Sequence, residues 1–393
     1  MKYISGLIVG TVLFLVIGCR HTPKEGLVEN SSQAVIIKPD YSKWSVVDIS
    51  PYLDTIKYVK LEFTDQSMIG EISKIEAYKD RLYILDMNTS SLFVFTMDGK
   101  YLFKIHSVGS GPQEYTQLDF LSIDKEQQNI VLTDLMGYWI MRYDMEGNFL
   151  SRQKIPFWVE GVGLLPGKKI ALYANYRNNK EYLDKEYNLI CIDSLNNILK
   201  VYYPYDSSWL ENYPISVSRG EFYDYQDICN FYSLYNDTIF RLSSKGLQPR
   251  YIFDMQGKSF NQAYFKKPAD EFVKYMKESK FYYLTNVFET KEILSFTMDY
   301  GFDAWVGYYS KKSGKIINAA YYQNKKQYFM HINRGVYDPW FISVVPIEAL
   351  LTLKENYSHH SSEGIAQKEI LSLLDTLKEE DNPVLMMYKF KDF

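Results

Sequence analysis

HSVGSGPQEY, residues 106–115, carries two closely spaced glycines, Gly109 and Gly111. Such a stretch is either a loop that cradles a phosphate on backbone N–H groups or a turn that joins two pieces of sheet. A phosphate loop runs from a strand into a helix, so that the first helical N–H groups face the anion. Here Leu118–Ile123, LDFLSI, comes next and reads as a strand. Pro112 removes one N–H from the supposed cradle, and no Gly-Lys-Ser/Thr follows. The stretch is a junction between sheets, which predicts that the chain on its two sides repeats.

Residues 73–102, SKIEAYKDRLYILDMNTSSLFVFTMDGKYL, align without a gap on residues 121–150, LSIDKEQQNIVLTDLMGYWIMRYDMEGNFL, at an offset of 48. Ile75 meets Ile123, Asp86 meets Asp134, Gly99 meets Gly147 and Leu102 meets Leu150. Within the first unit Arg81–Asp86, Leu92–Thr96 and Tyr101–Ile105 read as strands, with Asp98-Gly99 as a hairpin turn. Fainter copies turn at Asn196-Asn197, at Lys245-Gly246 and at Ser313-Gly314. The wider gap before the last of these holds residues 258–290, where Ala269–Ser279 has helical composition. A C-terminal strand, Val384–Lys391, and an N-terminal strand, Ile56–Phe63, remain to form a sixth unit from both chain ends. Pro346–Glu380 reads as a helical hairpin inserted in that last unit, interrupted by His359-His360. Six small antiparallel sheets closed into a ring leave no long exposed edges. The expected fold is therefore all-β, a six-bladed β-propeller over residues 46–393 with helical insertions near 258–290 and 346–380.

Tyr83–Asp86, Phe93–Phe95, Asp98–Lys100 and Gly109–Tyr115 together resemble one NHL repeat read end to end. With the ending Asp381-Asn-Pro-Val-Leu385 and the N-terminus described next, the chain resembles the six-bladed β-propeller lipoproteins of the Bacteroides group. That resemblance implies the fold and no particular activity.

Lys2, the apolar run Ile4–Ile17 and the small residue Gly18 form a secretory signal, too short to span a bilayer, which takes roughly 20 residues. Val16-Ile-Gly-Cys19 resembles the bacterial lipobox, which makes Cys19 the lipidated first residue of the mature chain. Residues 1–18 are then the signal peptide and 19–45 the lipidated cysteine with a polar tether. Arg20, His21, Thr22 and Pro23 lack the acidic residues that follow the cysteine in surface-exported relatives. The reading is an outer-membrane lipoprotein facing the periplasm. The formal net charge of −4 offers no basic field for nucleic acid. Cys191 and Cys229 stand either as a disulfide or as two buried thiols.

Chemistry-bearing patterns are sparse. His21, His106, His331, His359 and His360 show no helical i, i+4 ligand pair, no Cys-x-x-Cys exists, and no Gly-x-Ser-x-Gly elbow is present. No metal, apart from the alternative of a structural Ca²⁺ on the axis, and no cofactor is expected. Three segments pair a glycine with aromatics: Gly111–Tyr115, Gly220–Tyr223 and Gly335–Trp340. Read as blade-to-blade crossings, they direct Glu114, Tyr115, Arg219, Glu221, Tyr223, Arg334, Tyr337 and Trp340 toward one funnel as ligand-binding candidates. The bland reading makes Glu114 and Glu221 caps of backbone N–H groups and the aromatics filler between blades. The expected role is a binding or scaffold module for an envelope protein or glycan. The alternative is a lyase or hydrolase acting on polysaccharide or peptide through Glu114, Arg219, Glu221 and Tyr223.

Overall fold

The computed structural model describes residues 24–26, 28, 34–41, 46–207, 222–233, 235–243, 245–278, 281–300, 303–319, 321–323, 333–357, 370 and 372–393. Its strands form six four-stranded antiparallel sheets, with one added strand on the fourth and a separate two-stranded pair. Blade 1 consists of Lys74–Tyr78, Arg81–Asp86, Ser91–Thr96 and Tyr101–Ile105, from the axis outward. Blades 2 to 5 begin on the axis with Phe120–Asp124, Gly161–Leu165, Phe222–Tyr225 and Tyr282–Glu289. Blade 6 takes Asn333–Tyr337, Trp340–Val345 and Val384–Phe390 from the end of the chain and Leu53–Lys60 from its beginning. The closing register sets Val384 against Lys60 and Tyr388 against Ile56. The chain is thus a six-bladed propeller closed by its two ends, with the helix Ile347–Tyr357 inserted in the last blade.

Every blade is covered on both faces by its neighbours, which explains why the middle strands read as nearly continuous apolar runs. Leu82 and Ile84 pack toward blade 6 with Leu385 and Met387, while Tyr83 and Leu85 pack toward blade 2 with Leu121 and Leu132. The period of two in strand side chains thus feeds two cores from one strand. The same arrangement recurs between each adjacent pair around the ring. Tyrosine surplus is largely interior: Tyr83, Tyr173, Tyr308 and Tyr388 are fully buried.

The five outer hairpins lie where the repeat predicts them. Gly99 and Gly147 both adopt φ +89°, and Asn196 takes φ +64° at the equivalent turn. In blades 2 and 3 the turn is held by the same device. Asp144 Oδ1 accepts from the Asn148 N–H at 2.8 Å, and Asp193 Oδ1 accepts from the Asn197 N–H at 2.9 Å.

The segment expected as a tether is partly laid against the ring. The Gly26 N–H donates to the Val201 carbonyl at 2.8 Å, on the outer strand of blade 3. Val35–Ile37 then adds a parallel fifth strand to blade 4, and Val46–Asp48 pairs with Tyr321–Gln323. From there the chain enters Leu53–Lys60, so it passes along the rim of several blades before closing the ring. Cys19 and the signal segment lie outside the described residues. Among the described residues no helix is long and apolar enough to cross a membrane.

Candidate functional site

Because the first strand of every blade runs along the axis, the ends of these strands surround a central channel. Its cavity measures about 450 Å³ and is lined from blades 1, 2, 4, 5 and 6. That lies within the usual range for a small-molecule site, roughly 300–1,000 Å³. Most charges in it already have partners. Lys74 pairs with Glu76 at 2.8 Å and donates to the Leu121 carbonyl at 2.8 Å. The Asn88 amide donates to Glu71 at 2.8 Å. Asp119 accepts from the Leu135 N–H and the Gln117 amide, at 2.8 and 2.9 Å.

Glu289 is the most heavily committed group. Its carboxylate is fully buried between blades 4 and 5, held by Arg250 at 2.5 Å and Lys311 at 2.6 Å. Tyr251 and Tyr223 donate to it at 2.8 and 3.0 Å. Burial lowers the Lys311 pKa despite this carboxylate, and it pushes the Tyr223 and Tyr251 hydroxyls far up. The cluster is an interblade clamp.

Two charged residues of the lining remain. The side chain of Arg334, on the inner strand of blade 6, makes no hydrogen bond or ion pair among the described residues. The carboxylate of Asp224, on the inner strand of blade 4, makes none either and also borders a second cavity of about 270 Å³ lined by Lys125, Pro166 and Asp227. Its carboxylate is open to the channel yet enclosed by protein, and this confinement, with Glu76 facing it, raises its pKa to about 6.

The sequence-predicted candidates divide accordingly. Tyr223 and Arg334 do line the channel. Arg219 and Glu221 lie outside the described residues. Glu114 turns back on its own loop, where its Oε2 accepts the Gly111 N–H at 2.7 Å, the capping role that its place in the junction also allows. Tyr115 is only 1 % exposed; its hydroxyl donates to the Ser90 carbonyl at 3.0 Å and burial raises its pKa to about 12, so it anchors the junction. Gly109 and Tyr115 N–H groups are likewise engaged, by the Tyr115 and Ser107 carbonyls, which leaves no free cradle for phosphate. The expectation for Gly335–Trp340 needs correction. This segment is the first hairpin of blade 6 instead of a crossing, because Tyr337 pairs directly with Trp340. Tyr337 packs between blades 6 and 1, and Trp340 lies under the ammonium groups of Lys57 and Lys389, with Nζ 4.6 and 5.5 Å from its ring.

Two residues that sequence reasoning aligned but gave no role shape the crossing face. Asp86 and Asp134, both buried, each close their own turn and grip a blade-to-blade junction. Asp134 accepts from Gly137 N–H and Thr116 N–H, both at 2.6 Å, while Asp86 accepts from Thr89 N–H at 3.1 Å and Gly70 N–H at 2.7 Å. Their coincidence at the repeat offset was the available signal.

Among the described residues no three His, Cys, Asp or Glu side chains are grouped to hold an ion. His106 is exposed and shares a hydrogen bond with Ser91 Oγ at 3.0 Å; His21, His331, His359 and His360 lie outside the described residues. Cys191 and Cys229 are unpaired and buried, the Cys191 thiol pushed up to about 12.

The chain belongs to the family described as Domain of unknown function (DUF4934), whose profile matches residues 33–389. An inferred exported protein of Bacteroides fragilis NCTC 9343 is similar over 91% of this chain and 100% of its own, with 20% identity and a TM-score of 0.75. A member of the duf4221 family from Bacteroides vulgatus ATCC 8482 covers 87% of this chain with 98% of its own, at 11% identity and a TM-score of 0.51. At such identities the likeness is one of fold. Among curated proteins none matches.

Proposed function

We propose that this member of the DUF4934 family is an exported, lipid-anchored binding module of the bacterial envelope whose ligand enters the axial channel. The observation that carries the reading is the cavity of about 450 Å³, in which the side chains of Arg334 and Asp224 have no partner among the described residues while the other charged groups of the lining are paired or hydrogen-bonded. A rigid ring with loops converging on one cavity suits binding. Export and anchoring are supported by the signal segment ending at Cys19 and by the fold shared with an inferred exported protein of Bacteroides fragilis. The periplasmic face is supported by Arg20, His21, Thr22 and Pro23, which stand where surface-exported relatives carry acidic residues.

Thermal shift of the purified chain against small polar compounds tests the reading, with Asn88→Trp as a plug at the channel mouth. A compound that raises the midpoint in the parent and not in the plugged variant supports it; equal shifts in both refute the channel as the site. Labelling with radioactive palmitate tests the anchor, and label retained in Cys19→Ser would sink it.

A second reading, a protein-docking face, is supported by the loops on the crossing side. Met68, Val108, Met136, Trp158, Tyr182 and Met276 are exposed there, in junctions or in loops between second and third strands. Cross-linking in cells that traps the same partner with wild type and with Met136→Glu/Trp158→Glu would remove this reading.

A further inference from the structure

The two leftover groups of the channel are opposite in sign, and this narrows the ligand further, on the reading that the cavity binds one. Arg334 projects from the inner strand of blade 6 and Asp224 from that of blade 4, with blade 5 between them. They form no ion pair with each other. A charge that lines a cavity with no counter-ion among the described residues gains a charge-assisted hydrogen bond from a ligand that supplies one. The cations and anions around them do not compete for the role, since Lys74 is held by Glu76 and Glu289 by Arg250 and Lys311.

We propose that the channel takes a zwitterion of amino-acid or short-peptide size, its carboxylate seated on Arg334 and its ammonium on Asp224. Arg334 offers the planar fork that matches a carboxylate with two parallel hydrogen bonds. Asp224 offers an acceptor-only group when ionised. Phe120, Phe222 and Phe288 add apolar wall to the same cavity, against which a side chain or a peptide methylene can rest. A purely anionic ligand fits less well, because Glu71, Glu76 and Asp224 give the lining more carboxylates than the cations Lys74 and Arg334 offset. A neutral sugar would leave both end charges unmet.

Isothermal titration of the full chain decides the matter, with the free amino acids and Gly-Gly as probes. N-acetylated Gly-Gly, Gly-Gly amide and glucose are the controls. The expected result is binding by at least one zwitterion, and a loss of about tenfold or more when either terminus is blocked, the size of one charge-assisted contact. Arg334→Met should abolish discrimination between acid and amide, and Arg334→Lys should restore part of it. Asp224→Asn should abolish discrimination between free and acetylated amine. Affinity of the parent should also fall below about pH 6, where Asp224 becomes protonated among Glu76 and Lys74 of blade 1, Lys125 of blade 2 and Asp227 of its own blade. Blocked and free termini binding alike, or discrimination unchanged in folded variants, overturns the zwitterion. So does a panel in which no zwitterion binds. A glucose response lost in Asn88→Trp would then retain the channel as a binding site while rejecting this ligand class.

Discussion

Asp134 gives the sharpest test of how the ring is held. It is 1 % exposed, and its two oxygens each accept one backbone N–H at 2.6 Å, from Gly137 in its own turn and from Thr116 in the junction that enters blade 2. A hydrogen bond to a charged group contributes about 1.5–3 kcal/mol, and an orphaned buried N–H adds its desolvation. Asp134→Ala removes both acceptors at once and is expected to cost about 3–5 kcal/mol. Asp134→Asn keeps one carbonyl oxygen but turns an NH₂ toward the other donor, and should cost about half as much. Urea unfolding at pH 7 measures both, read as a lowered midpoint at unchanged slope. Hydrogen exchange adds a local readout: the Thr116 and Gly137 amides should lose protection in the alanine variant while Ile130 and Leu132 keep theirs until global unfolding. Asp86→Ala, at the equivalent place in blade 1, should behave the same way through Gly70 and Thr89. An alanine variant within 1 kcal/mol of the parent, or an asparagine variant indistinguishable from it, would refute the idea that these carboxylates tie junction to blade.

Other perturbations follow from the buried charges and thiols. Glu289→Gln leaves Arg250 and Lys311 without their counter-ion and is expected to cost about 3–5 kcal/mol by the same unfolding assay; a smaller loss than Asp134→Asn would contradict the clamp. Asp224 has a pKa raised from 3.8 to about 6, so its ionised form opposes folding above pH 6 and that opposition fades as pH falls toward 3.8. Asp224→Asn should therefore stabilise the chain at pH 8, by about 1 kcal/mol once channel exposure is allowed for, by about half as much at pH 5, and hardly at all at about pH 3. An equal gain at about pH 3 and pH 8 would show the effect to be unrelated to ionisation. Cys191 and Cys229 should resist a thiol-specific disulfide reagent at pH 8 in the folded chain and react fully in denaturant, whereas rapid native labelling would place them at the surface.

The fold was legible because its signals are local. Hairpin turns at Gly99, Gly147, Asn196, Gly246 and Gly314 each announce themselves through residues suited to positive φ, and their spacing gives the blade. The closing strand was displaced, from an expected Ile56–Phe63 to Leu53–Lys60, since an edge strand has only one partner to define its ends. The docked N-terminal segment was missed because parallel pairing along a rim needs no alternation and leaves no turn signature. Site residues were harder still. Gly335–Trp340 looked like a junction by composition, but a glycine beside aromatics serves a hairpin equally well. The channel itself is assembled from blades far apart in sequence, so Asp224 carried no visible mark until Glu76 was placed opposite it.

Ring closure by the chain's two ends has a consequence for biogenesis. Leu53–Lys60 leaves the ribosome early, yet its partner Val384–Phe390 is made only after the five blades between them. Contacts so distant in sequence form slowly, and until they form the ring has two raw strand edges. A chain cut short anywhere before Val384 cannot hide them, however well its earlier blades fold. The closure thus serves as a check on completeness: a finished molecule seals itself, and an unfinished one stays visible to proteases.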